Sequence, residues 1–364
     1  MQSEDVRFDP VSFASLPRWP DDGHLAAFET FLVSARRLLA RDASGDEPRS
    51  PSNLLQTCRQ ALDLAGRGPG NDGARAFFEQ HFTPHRVVHA NSEGLLTGYY
   101  EPVILGSRAE TPRFRVPVLK RPPDLVNLVA ESERGAKAHA LTHARKTAEG
   151  LVPYATRAEI EAGALAGQSL VLVWLEDPVD AFFLHVQGSG VIRFEDGSEA
   201  RITYHGKNGH PYTSVGRYLI DAGLFPADQM SLDALKDFLK ADPVRGAAAM
   251  RQNKSYVFFR ELQGEEGRSA LGSMEIPLTR DRSLAVDTRF HAIGTPVYVV
   301  SPTLTHTGDP GGFHRLMIGQ DVGSAIRGPE RGDIYYGTGD EAGAMAGITK
   351  HPGNFIVLLP GQRS

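Results

Sequence analysis

The spacing of apolar residues along the chain predicts a helical first part followed by many short strands. From about residue 24 to residue 82, apolar side chains recur at helical intervals, as in Leu25, Phe28, Phe31 and Leu32, which indicates amphipathic helices. Helices are predicted again at 213–222 and from 231 to about 251. Short apolar runs bounded by Gly, Pro and Asn predict strands at 86–90, 95–100, 114–119, 169–175, 181–187, 191–194, 201–204, 255–259, 283–287, 295–301, 314–320, 334–336 and 355–359.

Short strands at these intervals favour a small barrel over a parallel α/β sheet. We therefore predict a mostly β chain with helical segments, of the α+β class. Residues 120–150 are charged and rich in alanine, and we expect them to form a surface excursion.

Composition narrows the functional classes. The chain has 364 residues, 41% of them hydrophobic, and a net charge of -5 from 39 basic and 44 acidic residues spread along it. No basic stripe is present, which argues against nucleic-acid binding. The single cysteine, Cys58, excludes an intrachain disulfide and is interpreted as packing. No apolar run of membrane-spanning length and no signal peptide or lipid anchor is visible, so we expect a soluble chain as written.

Two aspartates in the segment 320–347 are the strongest candidates for chemistry. Asp321 follows the apolar run 314–318, and Asp333 precedes Ile334, so both acids are predicted at strand ends near glycines. Loops at strand ends commonly carry functional groups, and glycines there leave space for a polymer in a groove. The alternative for Asp333 is a turn or helix-capping role. For Asp321, the alternative to proton transfer is a structural role in which it accepts hydrogen bonds from loop amides or orients Asp333.

Three further motifs offer polar side chains for a glycan, and each has a structural alternative. Thr97 and Tyr99 stand in a strand that also contains Tyr100, and one of two adjacent strand tyrosines is expected in the core. The run Gln187, Gly188, Ser189 and Gly190 is predicted to end an apolar strand, where a plain β-turn is the alternative. Lys207 and Asn208 precede Gly209, and Asn-Gly is an ordinary turn dipeptide. The predicted substrate-binding residues are Thr97, Tyr99, Gln187, Gly188, Ser189, Gly190, Lys207 and Asn208.

No cofactor is expected. The glycine motif at 337–342 fits a dinucleotide fingerprint, but only 22 residues follow it, too few for a nucleotide fold. The histidines include no His-Glu-x-x-His, and the pair His139 and His143 lies in the charged excursion, so no metal is expected. The triplet that begins at Asp321 has no hydroxyl residue after the acid, which argues against an aspartic protease.

Taken in order, these motifs resemble the membrane-bound lytic transglycosylase A family, which is built on a double-psi β-barrel. The resemblance extends over about residues 85–364 and rests on the motifs 97–102, 186–190, 204–212, 284–297 and 320–347. It implies a barrel formed by residues 83–105 plus 253–364, an inserted β-rich substrate-groove domain at 106–252, and an N-terminal helical segment at 1–82. It further implies a groove between the two domains that holds peptidoglycan glycan strands.

The resemblance also implies a reaction. This family cleaves the β-1,4 bond between N-acetylmuramic acid and N-acetylglucosamine without water and leaves 1,6-anhydro ends, so a lyase is expected. By position in the motif Asp333 is the catalytic acid and base, its pKa raised by Ile334, Tyr335 and the charge of Asp321, and Asp321 supports it. A periplasmic or cell-envelope location is expected, with outer-membrane association only through a segment absent from this chain. The alternatives are a hydrolase using both aspartates and a noncatalytic glycan-binding module.

Overall fold

The computed structural model describes residues 6–45, 51–90, 94–129, 141–309 and 311–361. The helices in these ranges are α1 (His24–Ser44), α2 (Ser52–Ala65), α3 (Asn71–His81), α4 (Arg157–Glu161), α5 (Pro178–Gln187), α6 (Val215–Asp221), α7 (Leu232–Ala241), α8 (Pro243–Met250) and α9 (Asp340–Ile348).

The strands in the same ranges occur in several runs between these helices. They are β1 (Arg7–Pro10), β2 (Phe82–Val88), β3 (Gly94–Glu101), β4 (Val103–Ser107), β5 (Val116–Leu119), β6 (Leu125–Asn127), β7 (His143–Thr147), β8 (Gly150–Val152), β9 (Val171–Leu175), β10 (Ser189–Arg193), β11 (Glu199–Lys207), β12 (Val257–Glu261), β13 (Ser283–Ala285), β14 (Pro296–Ser301), β15 (Phe313–Asp321), β16 (Arg331–Thr338) and β17 (Lys350–Pro360).

The chain divides into two compact units. The first, here the barrel unit, comprises Met1–Tyr99, Leu271–Gly337 and Thr349–Ser364, and the second unit comprises Tyr100–Ala270 and Thr338–Ile348. In the barrel unit six strands close on themselves in the order β17-β14-β15-β13-β16-β3, because β17 pairs with both β14 and β3. Strands β1 and β2 extend this sheet from β17. A closed barrel leaves these six strands without a free edge.

The N-terminal helices belong to the barrel unit and cover one side of the barrel. Phe28, Phe31 and Phe78 on α1 and α3 pack in one hydrophobic cluster with Leu316 and Leu358 of the barrel strands. These aromatic rings meet edge to face, which is a favoured geometry for aromatic pairs. Burial of the apolar stripes therefore explains why α1 and α3, which are amphipathic in sequence, form here.

The second unit contains a six-stranded sheet, a smaller three-stranded sheet and the remaining helices. The strand order in the larger sheet is β12-β11-β10-β4-β9-β5, and in the smaller sheet β6-β7-β8. The described part of the predicted excursion at 120–150 includes strands β6, β7 and part of β8, so it is more regular than the sequence suggests. His139 of the histidine pair noted above lies outside the described residues.

The prediction of a strand at 181–187 is wrong, because this run lies in the helix α5. Asp177 caps the helix by accepting a hydrogen bond from the Val179 amide at 2.7 Å, and Pro178 occupies the first helical position. Gly188 ends the helix with φ of 82°, a conformation that glycine adopts without strain. The helix is apolar on most of its surface, so its sequence lacks the polar face by which a helix is recognised.

The helix predicted from 231 to 251 is divided in two. Asp242 separates α7 from α8, and its carboxylate accepts hydrogen bonds from the amides of Val244 and Arg245, each at 3.0 Å. Pro243 follows at the first position of α8, where its missing N–H costs nothing. Proline within a continuous helix would remove a hydrogen bond and clash with the preceding turn, which explains the break.

The predicted fold class is confirmed: strands and helices combine in an α+β chain around a double-psi type of barrel, with a second β-rich unit and N-terminal helices. None of the helices in the described ranges is both long enough and apolar enough to cross a bilayer.

Candidate active site

Three residues on neighbouring barrel strands form a row that contains both predicted acids. Ala285 on β13 pairs with Asp321 on the parallel strand β15 and with Asp333 on the antiparallel strand β16. Residues paired across adjacent strands project from the same face of a sheet, and two strand spacings separate the backbones of the acids by about 10 Å. The methyl side chain of Ala285 adds little bulk between the two carboxylates.

A β-bulge at Gln320 directs Asp321 towards this row. The pairing of β13 with β15 skips Gln320, and its fully buried side chain donates hydrogen bonds to the Thr30 carbonyl at 3.1 Å and the Ser34 hydroxyl at 2.8 Å. Both partners lie on α1. Bulges commonly re-aim a side chain beside a functional site, so the buried Gln320 fixes the direction of its neighbour Asp321.

Asp333 is half-buried and has a hydroxyl partner. The Thr97 hydroxyl on β3 donates a hydrogen bond to Asp333 Oδ1. Burial raises the pKa of Asp333 above its ordinary value. The charge of Arg331 and the hydrogen bond from Thr97 oppose that rise. The rise comes from burial and not from the charge of Asp321 that was expected from the sequence, and the opposing charge of Arg331 was not part of that expectation.

Asp321 is also half-buried and is held by a tyrosine. The Tyr99 hydroxyl donates to Asp321 Oδ2 at 3.0 Å, and the Val322 amide donates to Oδ1 at 2.8 Å. Burial raises the pKa of Asp321 to about 7, and the nearby Asp333 charge adds to the rise, whereas the hydrogen bonds oppose it. Two carboxyl groups with raised pKa values on one face of a sheet are candidates for proton transfer.

Two buried carboxylates of the barrel unit fix the segment between Asp321 and Asp333. Asp287, fully buried, accepts a hydrogen bond from the Gly328 amide at 2.8 Å. Glu330, also buried, accepts one from the Phe355 amide at 2.7 Å. These bonds hold the chain just before Asp333 in place, so the acid stands on a supported strand.

Thr97 and Tyr99, predicted to bind substrate, lie beside the two acids. Both are half-buried on β3, and the hydroxyl of each donates to a carboxylate. The Tyr99 ring also packs against Tyr335, with centroids 5.2 Å apart. Tyr100, the adjacent residue, is buried, as the alternation of side chains along a strand requires.

The residues predicted from the motif at 187–190 lie in the second unit, at the end of α5 and the start of β10. Gln187 accepts a hydrogen bond from the Tyr100 amide at 3.1 Å. Ser189 is buried, and a Cβ at Gly190 would lie 2.6 Å from a Leu184 methyl group. Gly188 serves as the helix terminus described above. These contacts give residues 187–190 a role in packing and in reversing the direction of the chain.

Asn208, predicted to contact the glycan, has a structural role. Its side chain is fully buried, its amide nitrogen donates to the carbonyls of Ala155 and Lys254, each at 2.8 Å, and its oxygen accepts from the Tyr256 amide at 2.9 Å. All of these partners are backbone groups, and they occupy both hydrogens of the amide nitrogen. The neighbouring Lys207 ends β11 and is half-buried.

A metal centre finds no support in the part of the chain that the structure describes. There, no three side chains of His, Cys, Asp or Glu are grouped so that they could hold a metal ion. His143 on β7 is buried, next to the Thr142 hydroxyl that lies 2.9 Å from its Nδ1.

Sequence reasoning does not identify Arg331 or Gln320 as residues of the site. Arg331 lies two positions before Asp333, and alternation along a strand places both on one face, so its proximity was available from the sequence. The role of Gln320 depends on a β-bulge, which no local pattern in the sequence predicts.

Comparison with known proteins identifies relatives along the chain. Residues 95–260 match the family described as MltA specific insert domain, and residues 282–359 match the 3D domain family. The chain is 34% identical over 266 residues to the membrane-bound lytic murein transglycosylase A of Escherichia coli strain K12. That alignment covers 72% of this chain but 64% of the relative, slightly less than two thirds of its length.

Solved structures resemble the whole chain. The crystal structure of a membrane-bound lytic murein transglycosylase from Agrobacterium tumefaciens is 33% identical, has a TM-score of 0.84, and matches over 97% of each chain. The crystal structure of Escherichia coli MltA with bound chitohexaose is 27% identical, has a TM-score of 0.67, and matches over 100% of this chain and 94% of that one.

Proposed function

Because the chain belongs to the membrane-bound lytic murein transglycosylase A family, we propose that it cleaves peptidoglycan glycan strands non-hydrolytically, with Asp333 as the acid and base. The observation that carries this proposal is the half-buried carboxyl of Asp333 on a supported strand, with a raised pKa and a hydroxyl partner in Thr97. A raised pKa favours the protonated carboxyl, which is the form that general acid catalysis requires.

In the proposed reaction, Asp333 first gives its proton to the glycosidic oxygen between N-acetylmuramic acid and N-acetylglucosamine. The bond from that oxygen to C1 of the muramoyl ring breaks, and the electron pair stays with the oxygen. The C6 hydroxyl of the same ring forms a new bond to C1, and its proton passes to the Asp333 carboxylate. The acid is thereby restored, no water is consumed, and the product carries a 1,6-anhydro ring.

A tethered nucleophile explains how one acid suffices. The C6 hydroxyl is part of the reacting sugar, so its effective concentration reaches roughly 10⁵ M or more. Hydrolases, by contrast, use a second carboxylate to activate water or attack the sugar. In this proposal Asp321 supports the reaction from β15: Tyr99 holds it in place, and its ionisation is coupled to the charge of Asp333.

The proposed substrate sets the cellular location. Peptidoglycan lies outside the cytoplasmic membrane, so we infer a periplasmic or cell-envelope location. The bound chitohexaose in the Escherichia coli relative supports a β-1,4-linked amino-sugar chain as the ligand of this protein.

The test is mass spectrometry of the products formed from purified peptidoglycan in water enriched with heavy oxygen. We expect muropeptides lighter by one water than hydrolysis products and free of the heavy isotope. Products with a reducing N-acetylmuramic acid end that carries heavy oxygen would contradict the proposal.

One observation favours a hydrolase as the second candidate. With a pKa of about 7, Asp321 can act as a base towards water while Asp333 acts as the acid. In that case the heavy isotope enters the product, so the same experiment separates the two reactions.

A further inference from the structure

Arg331 connects to the proposed acid through Thr97. The Arg331 Nη2 donates a hydrogen bond to Thr97 Oγ1 at 2.8 Å, and Thr97 Oγ1 in turn bonds Asp333 Oδ1. The other terminal nitrogen of Arg331 donates to the carbonyls of Gly332 and Leu95. The guanidinium is therefore fixed between β16 and β3.

The chemistry of these groups sets the direction of each hydrogen bond. A guanidinium has N–H donors and no acceptor, whereas a hydroxyl has one proton and two lone pairs. Since Arg331 can only donate, it occupies a lone pair of the Thr97 oxygen. The single Thr97 proton is then left for Asp333, and Asp333 Oδ1 can only accept.

We propose that Arg331 is a positioning residue that acts through Thr97: it makes Asp333 Oδ1 a permanent acceptor, so that the proton exchanged with the glycan is carried on Oδ2. This inference rests on the proposed function, and it adds which oxygen of Asp333 reacts and which side chain selects it. The proton leaves Oδ2 for the glycosidic oxygen, and Oδ2 receives it back from the C6 hydroxyl.

The position of Arg331 also gives its charge a function. It is half-buried, and burial lowers the pKa of its guanidinium while the Asp333 charge raises it; arginine nevertheless stays protonated in proteins. Its charge favours the ionised form of Asp333 and so offsets part of the effect of burial. The carboxylate is thereby stabilised in the half of the reaction in which it must accept a proton.

Several charged or titratable groups interact with Asp333 among the described residues. Arg331 lies on the same strand, Asp321 on β15, Tyr99 on β3, and Tyr336 on β16. Tyr99 and Tyr336 have pKa values raised by burial and stay neutral in the working range. Arg331 is therefore the charge that opposes the effect of burial on Asp333, and the charge of Asp333 in turn raises the pKa of Asp321.

The experiment compares Arg331→Met, Thr97→Val and the double variant with the intact chain, with Thr97→Ser as the variant that keeps a hydroxyl. Arg315→Met is the matched control, because Arg315 is a mostly buried arginine of β15 that pairs with Asp309. We expect kcat to fall on the order of tenfold to a hundredfold in Arg331→Met and Thr97→Val, through misplacement of the reacting proton. KM should change little, Thr97→Ser should recover kcat relative to Thr97→Val, and Arg315→Met should retain activity.

The double variant tests whether Arg331 acts through Thr97. If it does, the loss of kcat in the double variant equals that of the more severe single variant, because coupled residues are not additive. The alkaline limb of the kcat/KM profile should also move to higher pH in Arg331→Met, since removing a cation makes Asp333 harder to ionise. Losses that multiply, or an Arg331→Met variant that behaves like Arg315→Met, would overturn the inference.

Carbon NMR titration of the Asp333 carboxyl in Arg331→Met separates this inference from the proposed function, because it needs no turnover. A higher pKa in that variant than in the intact chain supports the placement of Arg331, whatever reaction the protein catalyses; an unchanged pKa overturns it. Should Arg331→Met fail to fold, Arg331→Gln gives the same reading with a neutral polar side chain. If the products are anhydro sugars and the Arg331 variant is unaffected, only the inference about Arg331 is refuted. If the products are hydrolytic, only the proposed reaction is refuted.

Discussion

Two regions of the molecule carry similar polar motifs, yet their side chains form hydrogen bonds with different kinds of partner. On β3, β15 and β16, the hydroxyls of Thr97 and Tyr99 donate to half-buried carboxylates whose pKa values are raised. Around β11, Asn208 bonds only to backbone groups and is fully buried. The first arrangement favours protonated carboxyls, whereas the second satisfies the backbone and stabilises the fold.

The comparison teaches that residue type alone does not separate a site from a scaffold. Both motifs combine glycine with hydroxyl or amide side chains, and both were predicted to bind the glycan. The two motifs differ in the free energy of burying their polar groups. Burying a carboxylate that no cation contacts is unfavourable, whereas burying an amide whose hydrogen bonds are all satisfied is not. Unfavourable groups that persist in a fold are therefore the better indicators of function.

The largest effect is expected from Asp333→Asn. Loss of the proposed acid and base should lower the rate of glycan cleavage by roughly 10²–10⁴, and the melting temperature should be preserved because an amide fits the same space. Asp196→Asn is the matched control, since Asp196 is an exposed turn residue of the second unit that bonds Ser198. Retained cleavage by a folded Asp333→Asn protein would remove Asp333 from the mechanism.

A reversed pattern is expected for Asn208→Ala. The substitution removes the Asn208 hydrogen bonds to the carbonyls of residues 155 and 254 and leaves the buried amide of residue 256 without its side-chain partner, and an unsatisfied buried group costs about 1–3 kcal/mol. We expect a clearly lower free energy of unfolding in urea and an unchanged cleavage rate per folded molecule. Asn127→Ala, at an exposed position of β6, is the control. Lost activity with unchanged stability would instead place Asn208 in the glycan site.

A smaller effect is expected in the pH dependence of stability. Burial raises the pKa of Asp321 to about 7, whereas an unfolded aspartate titrates near about 3.9. Between these values the folded state binds more protons than the unfolded one, so the contribution of Asp321 to stability falls as pH rises. Asp321→Asn should flatten this fall between about pH 4 and pH 7. Parallel curves for the two proteins would show that Asp321 titrates normally.

Much of the fold was available from the sequence, because periodicity and turn residues act locally. The strands at 296–301 and 313–321 were recognised within a residue or two of their observed bounds. The helix α5 was missed because its apolar run lacks a polar face, although Asp177, Pro178 and Gly188 mark its two ends. Those end signals are local as well, and greater reliance on them would have given the correct element.

The site itself was predictable only in part. Asp321, Asp333, Thr97 and Tyr99 were selected from motifs, but the pairing of each hydroxyl with its acid depends on how β3 lies in the barrel. Strand neighbours that are distant in sequence cannot be read from local patterns. The direction of Asp321 depends further on the bulge at Gln320 and its hydrogen bonds to α1, which are tertiary contacts.

Carbon NMR titration of the Asp321 and Asp333 carboxyls in the intact protein tests the central claim most directly. We expect both groups to titrate above the ordinary aspartate range, with Asp321 near about 7, and their transitions to be coupled because each charge affects the other. Two independent transitions at the ordinary value of about 3.9 would mean that neither carboxyl holds a proton at neutral pH, and would contradict the assignment of this row as the catalytic centre.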